Sequence, residues 1–98
     1  MPVHAQALVI TPDPSAHAAR LARRLGHEFE TEWSAESGFV RLPEGSCDLH
    51  AWPEGLRLDA FADSGEGLAR VEQFIKAQIE REAQPPVQVD WRRRRADT

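Results

Sequence analysis

The sequence predicts a two-layer α+β sandwich, an antiparallel sheet with two helices packed on one face, in the order β-α-β-β-β-β-α-β. Three observations carry this. Apolar residues recur at helical spacing in two stretches, one after Pro14 and one after Asp63. Between them, four runs alternate apolar and polar residues across short turns, the pattern of a meander. Each element has one apolar side, and laying both helices on the apolar face of the sheet buries all of them.

Residues Ala5 to Ile10 form a first strand, stopped by Thr11-Pro12-Asp13-Pro14. There Asp13 offers an N-cap and Pro14 a first helical position. Ala18, Leu21, Ala22 and Leu25 then make one helical face, Arg20, Arg23 and Arg24 lie off it toward the C-terminal end, and Gly26 is the expected C-cap. From His27 the period becomes two, with Phe29, Thr31 and Trp33 inward and Glu28, Glu30 and Glu32 on the wet side. After a turn over Ser34–Gly38, Val40 and Leu42 alternate with Phe39 and Arg41. Past Pro43-Glu44-Gly45, Cys47, Leu49 and Ala51 alternate with Asp48, His50 and Trp52. Past Pro53-Glu54-Gly55, Leu56, Leu58 and Ala60 alternate with Arg57, Asp59 and Phe61. Asp63 with Glu66 reads as a capping box for a helix with the stripe Leu68, Val71, Ile75 and Ile79, flanked by Phe74. Pro85-Pro86 ends that helix, and Val87, Val89 and Trp91 predict a last short strand.

The 98 residues suffice for one domain, taken as 1–91, with 92–98 expected to be a disordered basic tail that folding does not need. With 41% hydrophobic and 29% charged residues the composition is that of a soluble domain, neither a disordered nor a membrane-spanning chain. The net charge is −4, but the tail holds four arginines and one aspartate, which leaves the first 91 residues at −7. An acidic body repels phosphate, so nucleic acid is not an expected partner, and only Arg92 to Arg95 could bind it, weakly and without regard to sequence. One cysteine and an N-terminus without a basic region and long apolar run make the cytoplasm the expected location.

Cys47 and His27 are the candidate ligand or metal residues. His27 shares the inward parity of Phe29, so the two could meet, but a nucleophilic pair needs a third group to orient the histidine, and these strands supply no inward carboxylate. Alternation with Leu49 and Ala51 points Cys47 into the core as an inert thiol, and His50 on the same strand faces the other way. The three glutamates Glu28, Glu30 and Glu32 read as a solvated strand face. No glycine pattern of a nucleotide loop is present in the sequence, no cofactor is expected, and no residue is assigned a catalytic role.

The segments Thr11-Pro12, Gly26-His27-x-Phe29, Gly38-x-Val40-x-Leu42-x-x-Gly45-x-Cys47-x-Leu49, Leu56-x-Leu58 and Val89-Asp90-Trp91 together resemble the bacterial domain of unknown function 2218 (DUF2218) family, from about Ala7 to Trp91. The resemblance implies a small domain that usually stands alone and has no assigned reaction. Some family members stand as N-terminal modules on flavin-dependent siderophore-interacting proteins, which implies a setting in iron metabolism. The expected function is a binding or accessory module, acting on a partner protein in iron–siderophore or redox metabolism.

The expected partner surface is the sheet face away from the helices. Parity puts Phe39, Arg41, His50, Trp52, Arg57 and Phe61 there, with His50 beside Arg57 or Asp59. Aromatic residues and arginine are enriched at protein interfaces, so a partner protein or a second copy is expected on this face. Cross-strand packing of aromatic and arginine side chains is the structural alternative.

Overall fold

Apolar alternation and turn chemistry produce six strands and two helices. The computed structural model of the chain describes residues 2–82 and 87–94. Strand β1 (Val3–Val9) leads into α1 (Pro14–Leu25), followed by β2 (Glu30–Ser34), β3 (Ser37–Leu42), β4 (Gly45–Trp52) and β5 (Gly55–Ala62), then α2 (Gly65–Glu82) and β6 (Arg92–Arg94). They form an α+β sandwich of one antiparallel sheet, in the order β2-β3-β4-β5-β1-β6, and two helices. The meander β2 to β5 follows chain order because its two-residue hairpin loops admit only neighbouring antiparallel strands. β1 is inserted between β5 and the last strand, with Val3 facing Ala62 and Val9 facing Leu56.

One face of this sheet is apolar and covered. Val9, Val40, Cys47, Leu49, Leu56, Leu58 and Ala60 are inaccessible to solvent, as are Ala18 and Leu21 of α1 and Leu68, Val71, Ile75 and Ile79 of α2. Both helices therefore pack on the same side. α1 is capped as its sequence dictates, with the Asp13 carboxylate accepting from the Ala16 N–H at 3.2 Å. Gly26 closes it in a right-handed helical conformation (φ −63°), so its role is space: a Cβ there would lie 2.9 Å from the Thr31 hydroxyl oxygen, which accepts no bulk because it donates to the Ala22 carbonyl. Gly55 likewise permits a close approach, since a Cβ would stand 2.3 Å from the Val9 carbonyl oxygen of the neighbouring strand. At the two-residue turn between β2 and β3, Ala35 takes φ +56°, a conformation that favours glycine.

Four local expectations are corrected. The capping box at Asp63 is displaced by one residue, because it is the Ser64 hydroxyl that accepts from the Gly67 N–H at 3.0 Å while the Ser64 carbonyl receives the Leu68 N–H. His27 lies in the turn after α1, exposed, because β2 begins only at Glu30; the inward parity assumed for it does not apply. Residues Val87 to Trp91 are not a strand. Val89 is buried as its apolar character requires, but its N–H donates to the Glu80 carboxylate (3.1 Å) and the Trp91 indole donates to the Glu72 carbonyl (3.0 Å), so the segment follows α2 instead of the sheet.

The fourth correction concerns the basic tail, which does not begin at Arg92. Arg92–Arg94 pair with Gln6, Ala5 and His4 of β1, and the Arg93 guanidinium reaches the Glu72 carboxylate and the Gly65 carbonyl, each at 3.2 Å. Arginine suits this short edge strand because it completes the backbone ladder while its long side chain satisfies acceptors on α2. Residues 95–98 lie outside those described. Between the helices, Arg24 meets Glu82 at 2.6 Å, and His17 is buried on α1, which lowers its pKa by desolvation. No helix among the described residues is long and apolar enough to cross a membrane.

Candidate functional site

The face of the sheet opposite the helices carries the chemistry. Alternation that sends Ala5, Leu49, Leu58 and Ala60 inward sends His4, Gln6, Asp48, His50, Arg57, Asp59 and Phe61 to this face. At its centre, on β5, Asp59 is only 7% exposed. Its Oδ1 accepts from the Gln6 amide at 2.8 Å and meets His4 Nε2 at 3.0 Å, while Arg57 Nε lies 3.1 Å from Oδ2. Burial alone would raise the Asp59 pKa; the hydrogen bonds from Gln6, His4 and Arg57 and the Arg57 charge outweigh it and hold the carboxyl below the usual range. Directly across on β4 stands Asp48. Its pKa is raised, first by burial and then by the neighbouring Asp59 charge, against the opposing pull of His50 and His4. Two carboxylates side by side thus titrate in opposite directions.

Aromatic rings frame this centre. The His4 and Phe61 rings stack in parallel at 4.5 Å, cross-strand partners in the β1–β5 register. The Arg57 guanidinium lies 4.8 Å from the Trp52 ring centre, and that of Arg41 lies 5.2 Å from the Phe39 ring centre. Trp52 and Leu8 are each 43% exposed. Beside them Gln6, Leu8, Trp52, Arg57, Asp90 and Arg92 line a cleft of about 430 Å³ where β5, β1 and β6 meet. Cationic guanidinium, flat aromatic surface and an amide are thereby held at one mouth, a combination that can bind but contains no activated nucleophile.

All six residues expected on the open face take that face, and His50 stands opposite Arg57, as a two-residue turn requires. The other candidate pair is not brought together. Cys47 is fully buried, its thiol 3.7 Å from the Asp48 carbonyl and its pKa pushed well up by desolvation. His27 is exposed three residues before β2, and β3 intervenes between β2 and Cys47 on β4. Among the described residues no group of three or more His, Cys, Asp or Glu side chains is arranged to hold a metal ion.

Sequence reasoning missed the Asp59 centre, with His4 and Gln6 around it. Asp59 and Arg57 are spaced to share a face, which is a readable signal. Their partners come from β1, whose pairing with β5 spans most of the chain and leaves no local trace.

The fold and this face define a class, the open-faced α+β sandwich with a polar centre on its free side. A family model described as an uncharacterized protein conserved in bacteria (DUF2218) matches residues 6–92, and the chain belongs to that family. None of the curated proteins matches. Among solved structures, the chain is similar to the NMR structure of PA4090 from Pseudomonas aeruginosa, with 22% sequence identity over 94% of this chain and 96% of that one and a TM-score of 0.73, a likeness of fold.

Proposed function

We propose that this member of an uncharacterised bacterial family is a non-catalytic binding module that docks a partner protein on the open face of its sheet. The observation that carries the reading is Arg57, held between the Trp52 ring and the Asp59 carboxylate on a face reached by solvent. Clamped in this way, the guanidinium loses little freedom on binding, and the adjoining ring supplies area at low entropic cost. The partner chemistry that suits the face is a protein surface offering apolar side chains to Trp52 and Leu8 and carbonyl or carboxylate oxygens to Arg57, Arg41 and Arg92. Family resemblance supports a setting in iron–siderophore or redox metabolism, with the partner a flavin-dependent or siderophore-handling protein, and the cytoplasm as the site of action.

The test compares the chain and its Trp52→Thr variant as baits in extracts of an encoding bacterium grown with and without iron. A specific partner held by the chain and lost by the variant, with the variant folded and within about 1 kcal/mol of the parent in stability, is the expected result. Identical captures would remove the open face as the docking surface, and a partner without iron or flavin chemistry would remove the metabolic setting.

A further inference from the structure

The two edges of the sheet are free among the described residues and carry opposite charge. β2 forms one edge and presents Glu30 and Glu32, both exposed, preceded by exposed Glu28. β6 forms the other and consists of three arginines. Register fixes the faces: Glu30 is paired with Arg41 and Glu32 with Phe39, and Arg92 is paired with Gln6, so Glu30, Glu32 and Arg92 all lie on the open-face side. Arg93 is committed to Glu72 on the covered side, whereas no ion pair involves Glu32 or Arg92 among the described residues.

Strand direction agrees with charge. Every neighbouring pair in the six-stranded sheet is antiparallel, so β2 and β6 run in opposite directions. A second copy set beside the first, with its helices on the same side, therefore brings its β2 antiparallel to the first copy's β6. Opposite charges then meet on one face of a continued sheet. Pairing β2 with β2 or β6 with β6 would instead juxtapose like charges, which charged edge strands use to prevent association.

We infer that copies of this chain associate head to tail, the acidic β2 edge of one adding to the arginine β6 edge of the next. The join is heterologous, so it does not close at two copies, and the average assembly grows with protein concentration. Three residues of β6 supply few backbone bonds, so the association is weak and depends on the charges. Salt screens it over the range in which the Debye length falls from about 30 Å to about 8 Å.

Sedimentation equilibrium of the full chain at low salt tests this, with Glu32→Arg and Arg92→Glu as variants. Both positions are exposed, so the thermal midpoints of the variants should match that of the parent and serve as the folding control. The parent is expected to gain mass with concentration and to lose that gain at 150 mM salt. Either reversal alone should weaken association about tenfold, an opposed pair replacing an attracted one, and mixing the two variants should restore it. A chain that stays monomeric at low salt, or association unaltered by both reversals, would overturn the proposal. So would association that the Trp52→Thr substitution abolishes, since that would place the contact on the open face.

Discussion

The covered and open faces of this sheet are made by the same strands, yet they are held by different physics. On the covered face Val40, Leu49, Leu56 and Leu58 are wholly buried beneath two helices, and each gains by leaving water in proportion to its apolar area. On the open face the central carboxylate of Asp59 is nearly as inaccessible, and what makes its burial tolerable is direction: three donors converge on it from two strands. Area tolerates rearrangement, whereas a converging set of hydrogen bonds does not. A sheet face can therefore be organised without a second layer, provided that its polar groups answer one another.

Replacing Leu58 by Ala on the covered face should cost about 2–5 kcal/mol in urea unfolding, since the cavity would lie between helices and sheet. Trp52→Thr, on the open face, should cost less than about 1 kcal/mol. Equal losses would mean that the faces are energetically alike.

Asp59→Ala is the next largest, about 1–3 kcal/mol at neutral pH, because His4, Gln6 and Arg57 lose their shared acceptor. The lowered pKa gives the sign of its pH dependence: the unfolded chain takes up the proton first, so the stabilisation is present above the unfolded aspartate range and is lost as pH falls through the folded value. Acid titration of stability should show this loss in the parent and not in Asp59→Ala.

Truncation after Trp91 removes the β6 ladder and the Arg93–Glu72 contact without touching either face's centre. It should lower stability by about 1 kcal/mol, a fall of about 4–8 °C in thermal midpoint for a domain of this size. An unchanged midpoint would mean that the last strand adds nothing beyond its charge.

The smallest change has the opposite sign. Asp48→Asn removes a like charge directly across from Asp59 and should stabilise the protein by about 0.2–1 kcal/mol at pH 7. Because the Asp48 pKa is raised, its contribution is favourable below the unfolded value and is lost as pH rises through the folded one, so the variant should gain most above that range and nothing in acid. A loss of stability at pH 7 would show that Asp48 has a favourable partner outweighing the repulsion.

How much could be read in advance follows the same division. Helix and strand order, the Asp13 cap and the open-face parity of Phe39, Trp52 and Phe61 were all legible, because each depends on residues two to four positions apart. The Asp59 centre was not, since His4 and Gln6 reach it from β1, 55 and 53 residues away along the chain. Residues Val87 to Trp91 alternate like a strand and are buried like one, but periodicity does not distinguish a segment laid along a helix from one laid in a sheet. His27 departs from the expected parity for a simpler reason: it lies in the turn three residues before the strand whose period of two would place it.

The position of β1 has a consequence for the order of events during synthesis. It leaves the ribosome before both of its neighbours, β5 and β6, so Ala5, Ala7 and Val9 have no ladder to join until β5 has emerged. The β2 to β5 meander can form from local hairpins in the meantime and present its open β5 edge as a template. Insertion of β1 into that edge has to wait for β5, and until it occurs the nascent chain carries a short apolar segment that another chain's unpaired strand could capture.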